Sequence, residues 1–297
     1  MKIAITTKQN VKDFVKPLKS KQSIEQFYEH ATEDYKFWSK NYNMHFGYST
    51  WGCLNPFKRE PMLTNMNKHI FDLLELKPRS ESIVIDLGCG MGGSMKYGMR
   101  RFPRLSMLGV TLSDFQVDNG NKFIGNYPGL IVKENFKHLS SNDNVMDGAI
   151  AVESFCHSGH HKDAFKEAYR VLKPGASLVI ADAFLKQNEA DLNLSSQWVY
   201  KNLCSAWSLK SLKDIDQVQE ELKDIGFKNI KIENLFWRVA SSVLHVPFAI
   251  GGFVIKSKLK GKVLKQEQIN NLKGSFFALL SGLHLKSFGY YIIKATK

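Results

Sequence analysis

A short apolar run followed by a glycine-rich turn limits the fold of this chain more than any other feature of its sequence. Residues 82–87 are rich in β-branched residues, Gly88 and Gly90 follow them, and residues 94–102 are helix formers with a basic end. This order predicts a buried strand, a tight turn and the start of a helix. Because glycine allows positive φ and a close approach of a ligand to the backbone, the turn indicates nucleotide binding, with the Asp86 carboxylate at the end of the strand.

The rest of the chain alternates strand-like runs with amphipathic helical runs, which is typical of a doubly wound α/β sheet. The sequence Lys173-Pro174-Gly175 predicts the end of a helix before the fifth strand. Strands are predicted at residues 82–87, 106–110, 130–134, 146–152, 177–181 and 227–235, and helices at residues 62–76, 94–102, 114–127, 161–172, 193–208 and 215–225.

The chain divides into a core and two additional segments. Residues 61–236 and 286–297 are predicted to form one ligand-binding α/β core. Residues 1–60 contain a helical pattern and a dense group of aromatic residues, and we expect them to form an N-terminal cap segment. Residues 237–285 interrupt the route to the last strand and are too long for a simple crossover, so a helical lid insert is predicted there.

The composition narrows the class of protein. The chain has 297 residues and a formal net charge of +13, but its lysines are spread along the sequence and no RNA-binding motif accompanies them, so no nucleic-acid partner is predicted. The four cysteines lack metal or redox spacing, and residues 1–21 lack the hydrophobic centre of a signal peptide. A cytoplasmic location is therefore expected. No run of about 18 apolar residues predicts a transmembrane helix.

The glycine spacing alone leaves the ligand open. The pattern Gly88-x-Gly90-x-x-Gly93 also fits the fingerprint of dinucleotide-binding dehydrogenases. That fold places an acidic residue about 20 residues further on to hold a ribose. Residues 108–113, at the end of the second predicted strand, contain no acidic residue, which argues against a dehydrogenase.

Two motifs resemble a known family. The sequence Asp86-Leu87-Gly88-Cys89-Gly90 resembles the first motif of class I S-adenosylmethionine-dependent methyltransferases. Residues 109–116 are similar to the Gly-Val-Thr-Leu-Ser-x-x-Gln variant of the sterol, tocopherol and cyclopropane fatty acid methyltransferases. Over about residues 28–185 the chain thus resembles the sterol and isoprenoid (tocopherol-like) small-molecule C-methyltransferases. The resemblance implies a Rossmann-like, seven-stranded doubly wound sheet whose last strand, residues 288–295, is antiparallel.

The resemblance implies S-adenosyl-L-methionine as the cofactor. The glycine turn would lie against its methionine part, with Asp86 as an anchor. Relatives commonly hold the ribose with an acid, which Thr111, Ser113 and Gln116 would replace by neutral hydrogen bonds. The predicted cofactor-binding residues are Tyr48, Asp86, Gly88, Gly90, Thr111, Ser113 and Gln116, with Asn135 and Phe136 at the adenine.

The segment from Glu153 to His157 is similar to the Glu-x-x-Cys-His segment of sterol and isoprenoid C-methyltransferases. Methylation of an alkene leaves a carbocation, which aromatic rings and one carboxylate can stabilise before the carboxylate accepts a proton. Glu153 is predicted to be that stabiliser or base, with His157 as its helper. The predicted substrate pocket contains Tyr42, Phe46, Trp51, Phe155, Trp207 and Trp237.

The predicted function is methyl transfer to a small, lipophilic acceptor, at a carbon of an isoprenoid or sterol-like substrate through a carbocation-like intermediate. N- or O-methylation of a natural-product small molecule is the close alternative, because the same core serves all three reactions. A nucleic-acid methyltransferase and a non-enzymatic lipid binder at a membrane are alternatives from other classes.

No protein metal site is predicted. His157 and His161 are four residues apart and His160 is adjacent, but Gly159 indicates a loop and no third ligand has a firm spacing. Mg²⁺ would enter only with an acceptor that carries a diphosphate.

The predicted lid leaves two interpretations open. Residues 239–255 are largely apolar, and Lys256, Lys258, Lys260 and Lys262 follow them. The segment is either an apolar cover of the active site or an interfacial segment that contacts anionic lipid peripherally. The oligomeric state is open as well, with a homo-oligomer as one option.

Overall fold

The structure of the protein is a computed structural model that describes residues 38–50, 58–77, 80–157, 161–259, 261 and 266–297. Most of the predicted N-terminal cap segment, including Trp51, lies outside the described residues. The described helices are α1 (Arg59–Leu73), α2 (Gly93–Arg101), α3 (Asp114–Ile124), α4 (His161–Val171), α5 (Leu194–Ala206), α6 (Ile215–Ile225), α7 (Phe236–Leu259) and α8 (Gln266–Ser281), with short 3-10 helices at Phe155–His157 and Glu189–Asp191.

One sheet of seven strands runs through the described part of the chain. Its order is β3-β2-β1-β4-β5-β7-β6, with β1 to β5 parallel and β7 antiparallel to both of its neighbours. The predicted Rossmann-like, seven-stranded sheet with an antiparallel last strand is confirmed. The strands are β1 (Ser82–Leu87), β2 (Leu105–Thr111), β3 (Gly129–Lys133), β4 (Met146–Val152), β5 (Leu172–Leu185), β6 (Lys228–Asn234) and β7 (Phe288–Thr296).

The centre of the sheet positions the site. Strands β1 and β4 are direct neighbours, and Asp86 pairs in register with Ile150. Because parallel strands end at the same edge, the residues that follow β1 and β4 face the same space. Asp86, the glycine turn and Glu153 therefore share one edge of the sheet.

Strand β5 is much longer than the predicted strand at residues 177–181. It begins at Leu172, directly after α4 ends at Val171, so Lys173-Pro174-Gly175 lies within it. The pairing with β4 shifts register between Met146 and Gly148, which accommodates the additional residues as an irregularity. Gly175 has a φ of 83°, a left-handed conformation that suits glycine, at this point of the strand.

The predicted lid region contains two helices, α7 and α8. Within α7, the 20 residues Phe236–Ile255 are long and apolar enough to cross a membrane by length and composition, and only 22% of this stretch is buried. The expectation that the sequence has no such helix was wrong, because two serines, two glycines and His245 interrupt the apolar run without ending the helix. One helix of this kind is weak evidence for a membrane span.

A glycine sets the distance between α1 and α2. A Cβ placed on Gly98 would lie 2.2 Å from Cζ of Phe71, whose ring is fully enclosed. Because α2 begins directly after the glycine turn, this contact also positions the turn.

We expect Gly98→Ala to lower the free energy of unfolding by about 1–3 kcal/mol, because the added methyl group overlaps an enclosed ring. Gly251→Ala in α7 is the matched control, since no atom lies within 4 Å of its Cβ position. Urea unfolding measures both variants. When Gly98→Ala is combined with Phe71→Leu, the loss of unfolding free energy should be smaller than the sum of the two single losses. Equal losses for the Gly98 and Gly251 variants would contradict the packing argument.

Candidate active site

The glycine turn forms one wall of a cavity of about 170 Å³, which we call the glycine-turn cavity. Gly88 and Gly90 line it with φ values of 95° and 54°. A Cβ on Gly88 would lie 2.4 Å from the Cβ of Ser154, so the turn has no room for a side chain there. The backbone is thereby left open to a ligand.

Asp86 lines the same cavity from the end of β1. Burial raises the pKa of its carboxyl group to about 7. A cation in the cavity would favour the ionised form and lower this pKa again. The position therefore suits an ammonium group.

The residues predicted for the ribose divide into two roles. Thr111 and Gln116 line the glycine-turn cavity, and the Thr111 hydroxyl donates to Oε1 of Gln116 at 2.5 Å. Ser113 is instead the N-cap of α3, where its Oγ accepts from the backbone N–H of Gln116 at 3.3 Å, and it lies outside the residues that line the cavity.

Asn135 and Phe136, which follow β3, also line the glycine-turn cavity. Tyr48 does not. The Tyr48 ring lies 5.0 Å from the ring of His69, and the guanidinium of Arg238 lies over it at 5.3 Å. Tyr48 therefore belongs to the packing between α1 and residues 42–48, which we call the aromatic segment. The sequence could not show on which side of that segment the ring lies.

A second cavity of about 570 Å³ lies between the sheet and helices α5, α7 and α8, and we call it the lid cavity. Phe46, Trp207 and Trp237 line it, together with many aliphatic side chains of α7 and α8. The Trp207 indole is fixed by donating to the side-chain oxygen of Asn271 at 3.2 Å. The lid cavity is therefore a largely apolar pocket of a size typical of small-ligand sites.

Two predicted pocket residues lie elsewhere. Tyr42 lines the glycine-turn cavity instead of the lid cavity, with its ring 5.0 Å from that of Phe123. Phe155 is fully buried in the core, between the rings of Phe136 at 5.3 Å and Phe165 at 5.5 Å. It packs behind Phe136, which lines the glycine-turn cavity, because the chain turns into a 3-10 helix at Phe155 soon after β4 ends at Val152.

Glu153 lies where the two cavities meet, since it lines both of them. Its Oε1 accepts hydrogen bonds from the backbone N–H of Phe46 at 2.6 Å and from the Tyr290 hydroxyl at 2.8 Å. Burial raises the pKa of Glu153 to about 8, against the lowering effect of these donors, and the Asp182 charge adds to the rise. Positive charge in either cavity would lower this pKa.

Asp182 and Tyr290 belong to the site although the sequence did not predict them. Both line the lid cavity. The Asp182 carboxylate accepts from the backbone N–H of Cys156 at 3.1 Å, and burial raises its pKa to about 6. Asp182 follows the predicted strand at residues 177–181, so the rule that selected Glu153 could have found it. The same rule could not find Tyr290, because it selects residues at the ends of parallel strands and Tyr290 lies on the antiparallel strand β7.

Two histidines also line both cavities. Burial lowers the pKa of His157 to about 4, so its imidazole is neutral at physiological pH. His45 is buried as well, with its Nδ1 2.8 Å from the carbonyl oxygen of Phe46, and burial lowers its pKa. Since a carbonyl can only accept, Nδ1 of His45 carries the proton.

Among the described residues, no group of three His, Cys, Asp or Glu side chains could hold a metal ion. His160, which was considered with His157 and His161, lies outside the described residues.

Comparison with known proteins agrees with this geometry. Residues 85–180 match a family described as methyltransferase domain. The 24-methylenesterol C-methyltransferase 2 of Arabidopsis thaliana is 27% identical over 237 residues, which cover 78% of this chain and 60% of that protein. The chain spans about 60% of the length of the curated relatives it matches first.

Two solved structures share the fold. The cyclopropane synthase MmaA2 from Mycobacterium tuberculosis has a TM-score of 0.78 and 16% identity, covering 92% of this chain and 97% of its own. The geranyl diphosphate C-methyltransferase from Streptomyces coelicolor A3(2), solved with Mg²⁺, geranyl diphosphate and S-adenosyl-L-homocysteine, has a TM-score of 0.68 and 17% identity, covering 93% and 97%.

In its matched domain, its fold and its relatives, the chain is similar to class I S-adenosylmethionine-dependent methyltransferases. Its sequence relatives include several sterol C-methyltransferases, so within that class the chain is similar to the sterol and isoprenoid group.

We expect Gly90→Val to abolish S-adenosylmethionine binding, because the side chain would project into the glycine-turn cavity from a backbone with positive φ. Gly175→Val is the matched control, since Gly175 also has positive φ but no atom within 4 Å of its Cβ position. Titration calorimetry measures the affinity. Retained binding by the Gly90 variant would contradict the site assignment.

Glu153 makes the stability depend on pH. Its pKa is raised from 4.5 to about 8 in the folded protein, so between these values the folded state holds more protons than the unfolded state and stability falls as pH rises. We expect Glu153→Gln to raise the free energy of unfolding by about 4 kcal/mol more near pH 9 than near pH 5. Urea unfolding at both pH values checks this, with the exposed Glu220→Gln as control. A gain that is independent of pH would refute it.

Proposed function

We propose that this protein transfers the methyl group of S-adenosylmethionine to a carbon atom of a lipophilic isoprenoid or sterol-like acceptor held in the lid cavity. The observation that supports this most directly is the position of Glu153 at the junction of a glycine-lined polar cavity and a large apolar one. Methyl transfer needs two ligands whose reactive atoms meet, and the two cavities meet at this carboxyl group.

The glycine-turn cavity fits the cofactor. The turn leaves space that a Cβ would fill, the Asp86 carboxyl group suits the amino group, and the Phe136 ring offers a face for the adenine. Thr111 and Gln116 would hold the ribose with neutral hydrogen bonds. When bound, S-adenosylmethionine supplies an electrophilic methyl group on a sulfonium.

The lid cavity favours an acceptor without negative charge. Among the described residues that line it, none is Lys or Arg, while Glu153 and Asp182 are both acids. An anionic head group buried there would lack a partner, which is costly. We therefore propose a neutral acceptor, and we expect no requirement for Mg²⁺, because that ion would enter only with a diphosphate.

In the proposed mechanism, the π electron pair of the acceptor would form the new bond to the methyl carbon while the methyl–sulfur bond breaks. The sulfur would keep the electrons of the broken bond and leave as a neutral thioether, and positive charge would remain on the adjacent carbon of the acceptor. The cation lowers the pKa of Glu153, so its carboxylate stabilises the charge and then accepts a proton from the acceptor. The hydrogen bonds from Phe46 and Tyr290 hold the carboxylate in place. Neutral His157 supports the proton transfer, and the apolar wall excludes water from the cation.

We expect Glu153→Gln to reduce kcat by about 10²–10⁴-fold while the affinity for S-adenosylmethionine is retained, because the amide keeps the shape but cannot accept the proton. Turnover is followed with methyl-labelled S-adenosylmethionine, and Glu220→Gln is the control. A loss of cofactor affinity instead of turnover would place the carboxylate in the cofactor site.

The acceptor is identified with the same label and a panel of sterols, neutral isoprenoids, prenyl diphosphates, phenols and amines, followed by NMR of the product. Label on a carbon of a neutral isoprenoid or sterol supports the proposal. Label on oxygen or nitrogen would contradict the carbon assignment and favour the alternative reaction. Activity with prenyl diphosphates alone would contradict the neutral acceptor.

A further inference from the structure

Helix α7 carries an apolar stripe on its outer face. Five large side chains of the helix are between 55 and 83% exposed. Their spacings of 7, 4, 7 and 4 residues place them within about 60° of the helix circumference, since each residue turns the helix by about 100°. The stripe consists of Trp237, Leu244, Phe248, Ile255 and Leu259.

The opposite face of α7 is fixed to the protein. Val239, Ser242 and Val246 are buried, and the Ser242 Oγ accepts a hydrogen bond from the backbone N–H of Gly47 at 2.9 Å. A helix held along one face in this way lies on the protein surface. Its apolar length therefore indicates an interfacial helix better than a membrane span.

The stripe continues onto its neighbours. Leu194 and Trp198 of α5, Phe276 of α8, and Leu283 and Leu285 before β7 are also exposed. Helix α8 connects them, because it packs against both α5 and α7. Of the twelve exposed large apolar side chains among the described residues, these five and the stripe make up ten. We call the ten residues together the lid surface.

We propose that the lid surface binds peripherally to an anionic lipid membrane. The sequence supplies the charge: lysines occupy positions 256, 258, 260, 262 and 265, no acidic residue stands between 256 and 266, and the chain has a net charge of +13. Basic residues beside an exposed apolar helix are the combination that anionic bilayers bind. This proposal is independent of the acceptor's identity.

The same surface adjoins the lid cavity. Trp237, Leu244, Leu283 and Leu285 are exposed and also line the cavity. A lipophilic molecule could therefore pass from a bilayer into the cavity without crossing water. The enzyme would in this way work at a membrane surface.

Vesicle flotation of the full-length protein tests the proposal, with vesicles of phosphatidylcholine alone and with roughly one third phosphatidylserine. We expect binding to the anionic vesicles and a decrease in high salt. Phe248→Ser combined with Ile255→Ser should lower the bound fraction at least about tenfold. Neither residue lines a cavity, so affinity for S-adenosylmethionine should be unchanged.

The matched control is Ile83→Ser combined with Leu130→Ser, which removes the two exposed large apolar side chains that lie outside the lid surface. The control should bind vesicles as the unmodified protein does. Equal binding to neutral and anionic vesicles, or an equal effect of both double variants, would overturn the proposal. So would a change of oligomeric state in the Phe248/Ile255 variant without a change in flotation, because the lid surface would then bind a second copy. Flotation needs no cofactor, so its outcome is separate from that of the activity assays.

Discussion

The Glu153 carboxyl group joins three parts of the chain that are distant in sequence. Its hydrogen-bond donors, Phe46 and Tyr290, are 107 and 137 residues away. Through them the aromatic segment before α1, the end of β4 and the last strand meet at one oxygen atom. Since β7 must insert between β5 and β6 to bring Tyr290 there, the junction of the two cavities forms only when the whole sheet is complete.

The charge of the site is opposite to that of the chain as a whole. The protein carries a net charge of +13, yet Asp86, Glu153 and Asp182 stand together at the carboxyl edge of the sheet, and burial raises the pKa of all three. Acids in this condition respond to a cation by ionising. A cationic ligand and a cationic intermediate would therefore both be stabilised there, while the rest of the surface attracts anions.

Much of the fold could be predicted from the sequence, because a buried parallel strand has a short, continuous apolar sequence. The bounds of β1 and β4 agree with the predicted residues 82–87 and 146–152. Since parallel strands end at one edge, placing Asp86 and Glu153 near each other required only that rule. Asp182 follows from the same rule applied to the predicted strand at residues 177–181, although β5 extends beyond both ends of that prediction. Its start was predicted too late because a Pro-Gly pair normally ends regular structure.

Other parts of the site depend on contacts that a sequence pattern does not contain. Phe155 and Tyr48 are aromatic residues in segments that do contact the site, but the local path of the backbone directs their rings into packing. Tyr290 reaches Glu153 only through the antiparallel pairing of β7 with β5. Local periodicity can predict that a residue is buried. Which cavity its side chain lines depends on the direction that the preceding turn gives to the backbone.

The backbone of Glu153 has a further consequence. Its φ of 48° lies in the left-handed region, which costs a non-glycine residue about 1–3 kcal/mol. The same residue carries a carboxyl group that burial disfavours in its charged form. The strained backbone and the buried carboxyl group thus both destabilise the protein at one position. A substitution by glycine or asparagine would relieve the backbone strain and would also remove the carboxyl group. A selection for thermal stability alone would discard this glutamate early, so its proposed catalytic role would be a compromise between folding and chemistry.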